Sequence, residues 1–201
     1  MDKALEQVRS SPSSEKIKFT THYEPYQLNP DFPPSANKNE WYLTNKHNGN
    51  TEAQKIFQAH MNEQVAPLGL NISFEGDMGN TLNAHRVIQY IQEEKGEEVA
   101  DKLVNALYDR YFTQAKHPSA DETLIEGCVA AGIDEEEAKK IVGDKELGLR
   151  KVKEQLRAVA MDVDAVPVVT FEGKRRDITL TGAKEVADYV KALETVAKES
   201  S

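Results

Sequence analysis

The chain has 201 residues, 39% hydrophobic and 29% charged, which suffices for one buried core or for a core carrying a large insertion. Its net charge of -9 repels phosphate backbones and anionic lipid, so neither nucleic acid nor a membrane surface is an expected partner. One cysteine, Cys128, excludes an internal disulfide and a cysteine-rich zinc site within this sequence. No apolar run approaches the roughly 20 residues of a membrane span. The opening Met1-Asp2-Lys3-Ala4-Leu5 lacks the apolar stretch of a secretory leader, so a cytoplasmic location is expected.

Residues 2–9 have helical character and run into the breaker Ser10-Ser11-Pro12-Ser13-Ser14. Ile17, Phe19 and Thr21 then alternate with Lys16, Lys18 and Thr20, a period of two that predicts a strand over residues 16–24. Residues 27–50 are rich in Pro, Asn and Gly and read as loop. From 51 to 161 the pattern is helical almost throughout. Helices are predicted from 51 to the Pro67/Gly69 stop, over 81–94, over 97–115, and over 121–131 up to Gly132. Two more are predicted, from the N-cap Asp134 with Glu137 at capping-box spacing, and over 144–160. Residues 166–171 read as an apolar strand containing Pro167, Glu172-Gly173-Lys174 as a turn, and 177–180 as a second strand. Thr181-Gly182 is expected to open a last helix whose apolar face carries Val186, Tyr189, Val190 and Leu193. The order predicts an α/β domain built from residues 1–50 and 162–201, with a helical domain, 51–161, inserted.

Several motifs follow that order. They are Tyr26-Gln27-Leu28-Asn29-Pro30, Asn80-Thr81-Leu82-Asn83-Ala84-His85-Arg86, Leu107-Tyr108-Asp109-Arg110-Tyr111-Phe112, Val166-Pro167 with Phe171-x-Gly173, and Thr181-Gly182-Ala183. Together they resemble the DsbA-like thioredoxin-domain family of FrnE type. More distantly they resemble 2-hydroxychromene-2-carboxylate isomerase and kappa-class glutathione transferase. The resemblance covers residues 1–197 and implies an α/β thioredoxin-like fold with a large all-helical insertion. It also implies a thiol–disulfide oxidoreductase whose first strand ends in Cys-Pro-x-Cys. Here residues 1–8 look like the second half of the helix after that motif, and the first strand and both cysteines are missing. That strand would lie between residues 17–23 and 166–171, and its loss bares backbone groups on both neighbours. The sheet rearranges, a second chain fills the gap, or the sequence is N-terminally incomplete. Dithiol exchange is not expected from the chain as written.

The resemblance implies a cis Pro167 that exposes the backbone of Val166 to an extended peptide, a protein thiol substrate or glutathione. It also implies a carboxylate site at Thr181-Gly182, where Thr181 alternatively serves only as a helix cap. His85 is placed facing the cleft, or as a hydrogen-bonded helix histidine. Cys128 has apolar and acidic neighbours and reads as a buried structural thiol. His22, His47, His60, His85 and His117 form no metal-ligand spacing, so no metal and no cofactor is expected. Two function classes remain. The first is a member of the oxidoreductase family without its redox centre. The second is a redox-inactive module holding a peptide or partner, or a second copy of itself through exposed strand edges. A glutathione-dependent isomerase or transferase is a third, weaker reading, because the serine that kappa-class relatives use would fall in the missing segment.

Overall fold

The computed structural model describes residues 1–10 and 17–200. Most of the serine-rich break expected at 10–14, and the first residue of the strand expected at 16–24, lie outside that range. The chain divides into two compact units. One is built from residues 1–20 and 158–201, the other from residues 21–157.

In the first unit, α1 (Asp2–Arg9) and α9 (Val186–Ser200) pack beside a two-stranded antiparallel sheet, β3 (Val168–Phe171) and β4 (Ile178–Thr181). Their apolar stripes define the core. Ala4, Leu5 and Val8 meet Tyr189, Ala192, Leu193 and Val196, with Phe171 closing one end and Val169, Ile178 and Leu180 packed against it. Alternation along the strands turns Val169 and Phe171 to this core and leaves Thr170 and Thr179 exposed, their hydroxyls 3.1 Å apart. The turn between the strands needs Gly173, because a Cβ there would stand 2.4 Å from the Arg176 carbonyl oxygen.

The second unit is helical. It contains α2 (Lys38–Asn45), α3 (Thr51–Val65) followed by a 3-10 turn (Ala66–Leu68), α4 (Leu82–Lys95), α5 (Glu97–Phe112), α6 (Asp121–Ala130) and α7 (Glu135–Gly143). The helix α8 (Leu149–Asp162) supplies residues to both units. Val87, Ile91, Leu103, Leu107, Leu124, Cys128, Ile141 and Val142 form its core. Gly127 lets α6 approach α5, since a Cβ would meet Leu107 Cδ2 at 2.7 Å. Asp134 caps α7, accepting from the Glu136 and Glu137 amides. Two buried cations tie loops to helix ends. Arg86 donates to the carbonyls of Ile141, Leu147 and Val142 at 3.0, 3.0 and 3.1 Å, occupying the carbonyl end of α7. Lys38 Nζ donates to Ser73 O and to Tyr111 O near the end of α5, and burial pushes its pKa down.

The structure corrects several expected elements. Residues 17–24 adopt no regular secondary structure and join no ladder among the described residues. Instead of a neighbouring strand, side-chain amides from α4 hold the chain here: Gln92 Oε1 accepts from Tyr23 N at 2.8 Å, while Gln89 and Gln92 both donate to Tyr23 O. The same bonds place residues 21–50 in the helical unit, where the sequence put them with the α/β part. The stretch expected as loop contains α2, capped by Asn37, and a two-residue ladder of β1 (Ala36–Asn37) with β2 (Asp77–Met78). The helix expected from 144 begins at Leu149, because 144–148 form a turn. The last helix does not open at Thr181-Gly182. Thr181 ends β4, Gly182 turns at φ +80°, and α9 starts at Val186.

Candidate functional site

Among the described residues β3 is paired on one edge only. Its register with β4 sets Val168 opposite Thr181, Val169 opposite Leu180, Thr170 opposite Thr179 and Phe171 opposite Ile178. The Gly182 amide donates to Pro167 O at 2.8 Å, which makes the 167/182 pair a hydrogen-bonded one. In an antiparallel ladder such pairs alternate with pairs that exchange no bond. Val169 and Phe171 therefore spend their backbone groups on β4, whereas the N–H and C=O of Val168 and Thr170 point to the opposite edge. The close Thr170–Thr179 hydroxyls agree, since side chains approach most in non-bonded pairs. No described residue hydrogen-bonds β3 on that edge.

Val166 and Pro167 lead into this edge. Val166 is 39% exposed and the Val166–Pro167 peptide bond is cis. Val166, Pro167, Thr181 and Gly182 thus come together at one end of the hairpin. Thr181 and Gly182 offer no helix start to a carboxylate there, and the Gly182 amide is already committed to Pro167. Asp162, Asp164, Lys174 and Arg175 are exposed around the hairpin, and none makes an ion pair with a described residue. Arg176 is paired with Glu199 at 2.7 Å.

His85 lies in the other unit, in the first turn of α4. Burial pushes its pKa down to about 4, and a hydrogen bond with the Tyr26 backbone works the other way. The imidazole is therefore neutral near pH 7. Around it, motifs read separately in the sequence meet. Gln27 Nε2 donates to Asn80 Oδ1 at 2.9 Å, Asn80 Nδ2 donates to Pro30 O at 2.8 Å, and Asn80 Oδ1 caps α4 through the Leu82 amide. This network fixes the 26–32 segment.

Cys128 is fully buried on α6, and burial pushes its thiol up to about 11 against the opposing charge of Arg86. It is neither exposed nor ionised at neutral pH and cannot act as a nucleophile. Among the described residues no group of His, Cys, Asp and Glu is arranged to hold a metal ion, and no helix is long and apolar enough to cross a membrane. The outward backbone of Val168 and Thr170 was not legible in the sequence. Alternation shows which side chains share a face, but the direction of the backbone groups depends on the hydrogen-bond phase with β4.

No curated protein matches this chain. Among solved structures, a probable DsbA oxidoreductase from Streptomyces coelicolor is similar to it, with a TM-score of 0.75 and 20% sequence identity, over 98% of this chain and 83% of the other. That likeness shows the fold: a thioredoxin-like α/β domain carrying a helical insertion. The family profile described as DSBA-like thioredoxin domain matches residues 2–194, nearly the whole sequence. The chain belongs to the DSBA-like thioredoxin domain family.

Proposed function

We propose that these 201 residues form the peptide-gripping portion of a FrnE-type member of the thiol–disulfide oxidoreductase family, and that by themselves they bind an extended chain without exchanging disulfides. The observation that carries this reading is the backbone phase of β3, where Val168 and Thr170 direct both backbone groups away from β4, toward an edge that no described residue pairs. An extended peptide adds to such an edge as a further strand, with main-chain bonds for affinity and alternate side chains for selectivity. Val166 and Pro167 form the approach to that edge, and Thr181 and Gly182 brace it from β4. His85 belongs to the helical unit, where it is a neutral hydrogen-bonding group. The one thiol of the sequence is buried and protonated, so it supplies no exchange chemistry. A reducing compartment such as the cytoplasm suits that state.

The test uses a fluorescently labelled extended apolar peptide and amide NMR of the chain. Binding should shift the amides of Val168 and Thr170 more than those of Val169 and Phe171, whose N–H groups face β4. No binding, or shifts confined to other elements, overturns the edge reading. An insulin-reduction assay should stay at background, and activity that survives Cys128→Ser overturns the redox-inactive reading.

A further inference from the structure

Within the helical unit the chain makes one excursion, from Lys38 through α2 and α3 to Gly76. It leaves and returns at the β1–β2 ladder, and Lys38 N donates to Gly76 O at 2.9 Å. We infer that this α2–α3 arm opens as a unit of its own, latched by Lys38, while the body formed by α4 to α7 stays folded.

The arm's packing sets it apart from the body. The buried core of the helical unit is drawn from α4 to α7 and includes no residue of the arm. Within α2 and α3 two residues are buried, Lys38 and Gln54, and both are polar. In place of an apolar core the arm has a small aromatic cluster. Tyr42 stacks on Phe57 at 6.0 Å, and Phe74 meets the two rings edge-on at 6.1 and 5.9 Å. All three rings are only half-buried. Side-chain amides close the rest: Gln54 and Gln58 donate to Asn39 Oδ1, and Asn62 exchanges two bonds with the backbone of Ile72. Helices of 8 and 15 residues are marginal in water by themselves, so detachment of the arm and its unfolding go together.

The attachment to the body is narrow and polar. At the end of α5 the chain that follows takes the carbonyls of Asp109 and Arg110. The arm takes the next two. Lys38 Nζ donates to Tyr111 O at 3.1 Å, and Ser73 N donates to Phe112 O at 2.6 Å. Lys38 Nζ also donates to Ser73 O at 3.2 Å and lies 4.0 Å from the centre of the Tyr111 ring. One ammonium therefore joins both ends of the arm to α5. Trp41 adds a ring contact, 5.6 Å from Phe32 in the segment before the arm. The ammonium is buried against neutral acceptors and pairs with no carboxylate among the described residues. Opening returns to it the hydration that closure removes, and water meets the two freed carbonyls. The arm therefore opens at far lower cost than the apolar body unfolds.

The experiment is amide hydrogen exchange of the full chain at increasing urea, below the unfolding midpoint. Amides of α2 and α3 should share one opening, with protection about tenfold or more below that of α4 to α6 and a shallower dependence on urea. Lys38→Met keeps volume but leaves Ser73 O and Tyr111 O without their donor, and Phe57→Ala removes the stacked ring. Each should lower protection in α2 and α3 by about tenfold and leave α4 to α6 unchanged. Equal protection and equal urea dependence in arm and body overturn the inference. So does a variant that lowers both together, or one that leaves the arm's protection unchanged. A variant that fails to fold overturns it as well, since a separately opening arm cannot take the body with it.

Discussion

The Gln92 side chain pairs with Tyr23 as one backbone strand pairs with another: its Oε1 accepts from Tyr23 N at 2.8 Å and its Nε2 donates to Tyr23 O at 3.0 Å. A single buried amide thus binds both backbone polar groups of a residue that joins no ladder among the described residues. Gln92→Leu leaves both groups without this partner, although Gln89 still reaches Tyr23 O. The expected cost is about 2 kcal/mol in chemical denaturation. Amide hydrogen exchange should accelerate at Tyr23 while the core amides of α4 hold their protection. Unchanged exchange at Tyr23 would show that the amide pair does not hold the segment.

Arg86 should be among the most sensitive positions of the helical unit. Its guanidinium serves carbonyls of Ile141, Val142 and Leu147 and also donates to Asn83 Oδ1 at 2.8 Å. Arg86→Met keeps volume but orphans those carbonyls, at an expected cost of about 3 kcal/mol in urea unfolding. Arg86→Lys should rescue little, because an ammonium lacks the planar fork that reaches several acceptors at once.

The histidine at 85 makes stability depend on pH in a defined window. Its folded-state pKa is about 4 against 6.5 for the free group. Between those values the unfolded chain takes up a proton that the folded chain refuses. Stability from this group is complete above pH 6.5, falls as pH drops, and is lost below about pH 4. With the ring only partly shielded from water, the expected loss is about 2 kcal/mol. His85→Gln should flatten that part of the profile in urea titrations at pH 7 and pH 4.5. A profile as steep as that of the parent would assign the effect to other groups.

Cys128 should be silent until the protein unfolds. With no exposed surface and a thiol held near 11, it should not react with Ellman's reagent at pH 8, and should react fully in denaturant. Reaction in the folded chain at the rate of a free thiol would contradict its burial.

The helices were legible because their apolar residues recur with helical spacing and their ends carry punctuation. Asp134 caps α7 as its position suggested, and Gly132 follows the end of α6. The failures are equally physical. Ile17, Phe19 and Thr21 alternate as a strand would, but alternation only reports an extended chain with one side covered. Here side-chain amides hold the next residues in place of a ladder. The short α2 was hidden among Pro, Asn and Gly, although Asn37 with Glu40 three residues on is a capping signal. Thr181 was read as a helix cap because threonine suits both caps and strands, and only the register with Val168 decides. At the candidate site, Val166 and Pro167 were named through family resemblance. Val168 and Thr170 were not, since backbone direction leaves no mark on composition.

The core of the smaller unit is made by α1 against α9, two helices far apart in sequence. On a ribosome, α1 emerges early and must wait for the whole helical unit, the hairpin and α9 before it finds its partner. The residues of the helical unit are contiguous, so it can close earlier. During that interval Ala4, Leu5 and Val8 present an unpartnered apolar stripe, the surface that a chaperone at the exit tunnel would shield. Substitutions in α9 should therefore affect yield in cells more than their cost in the folded state would suggest.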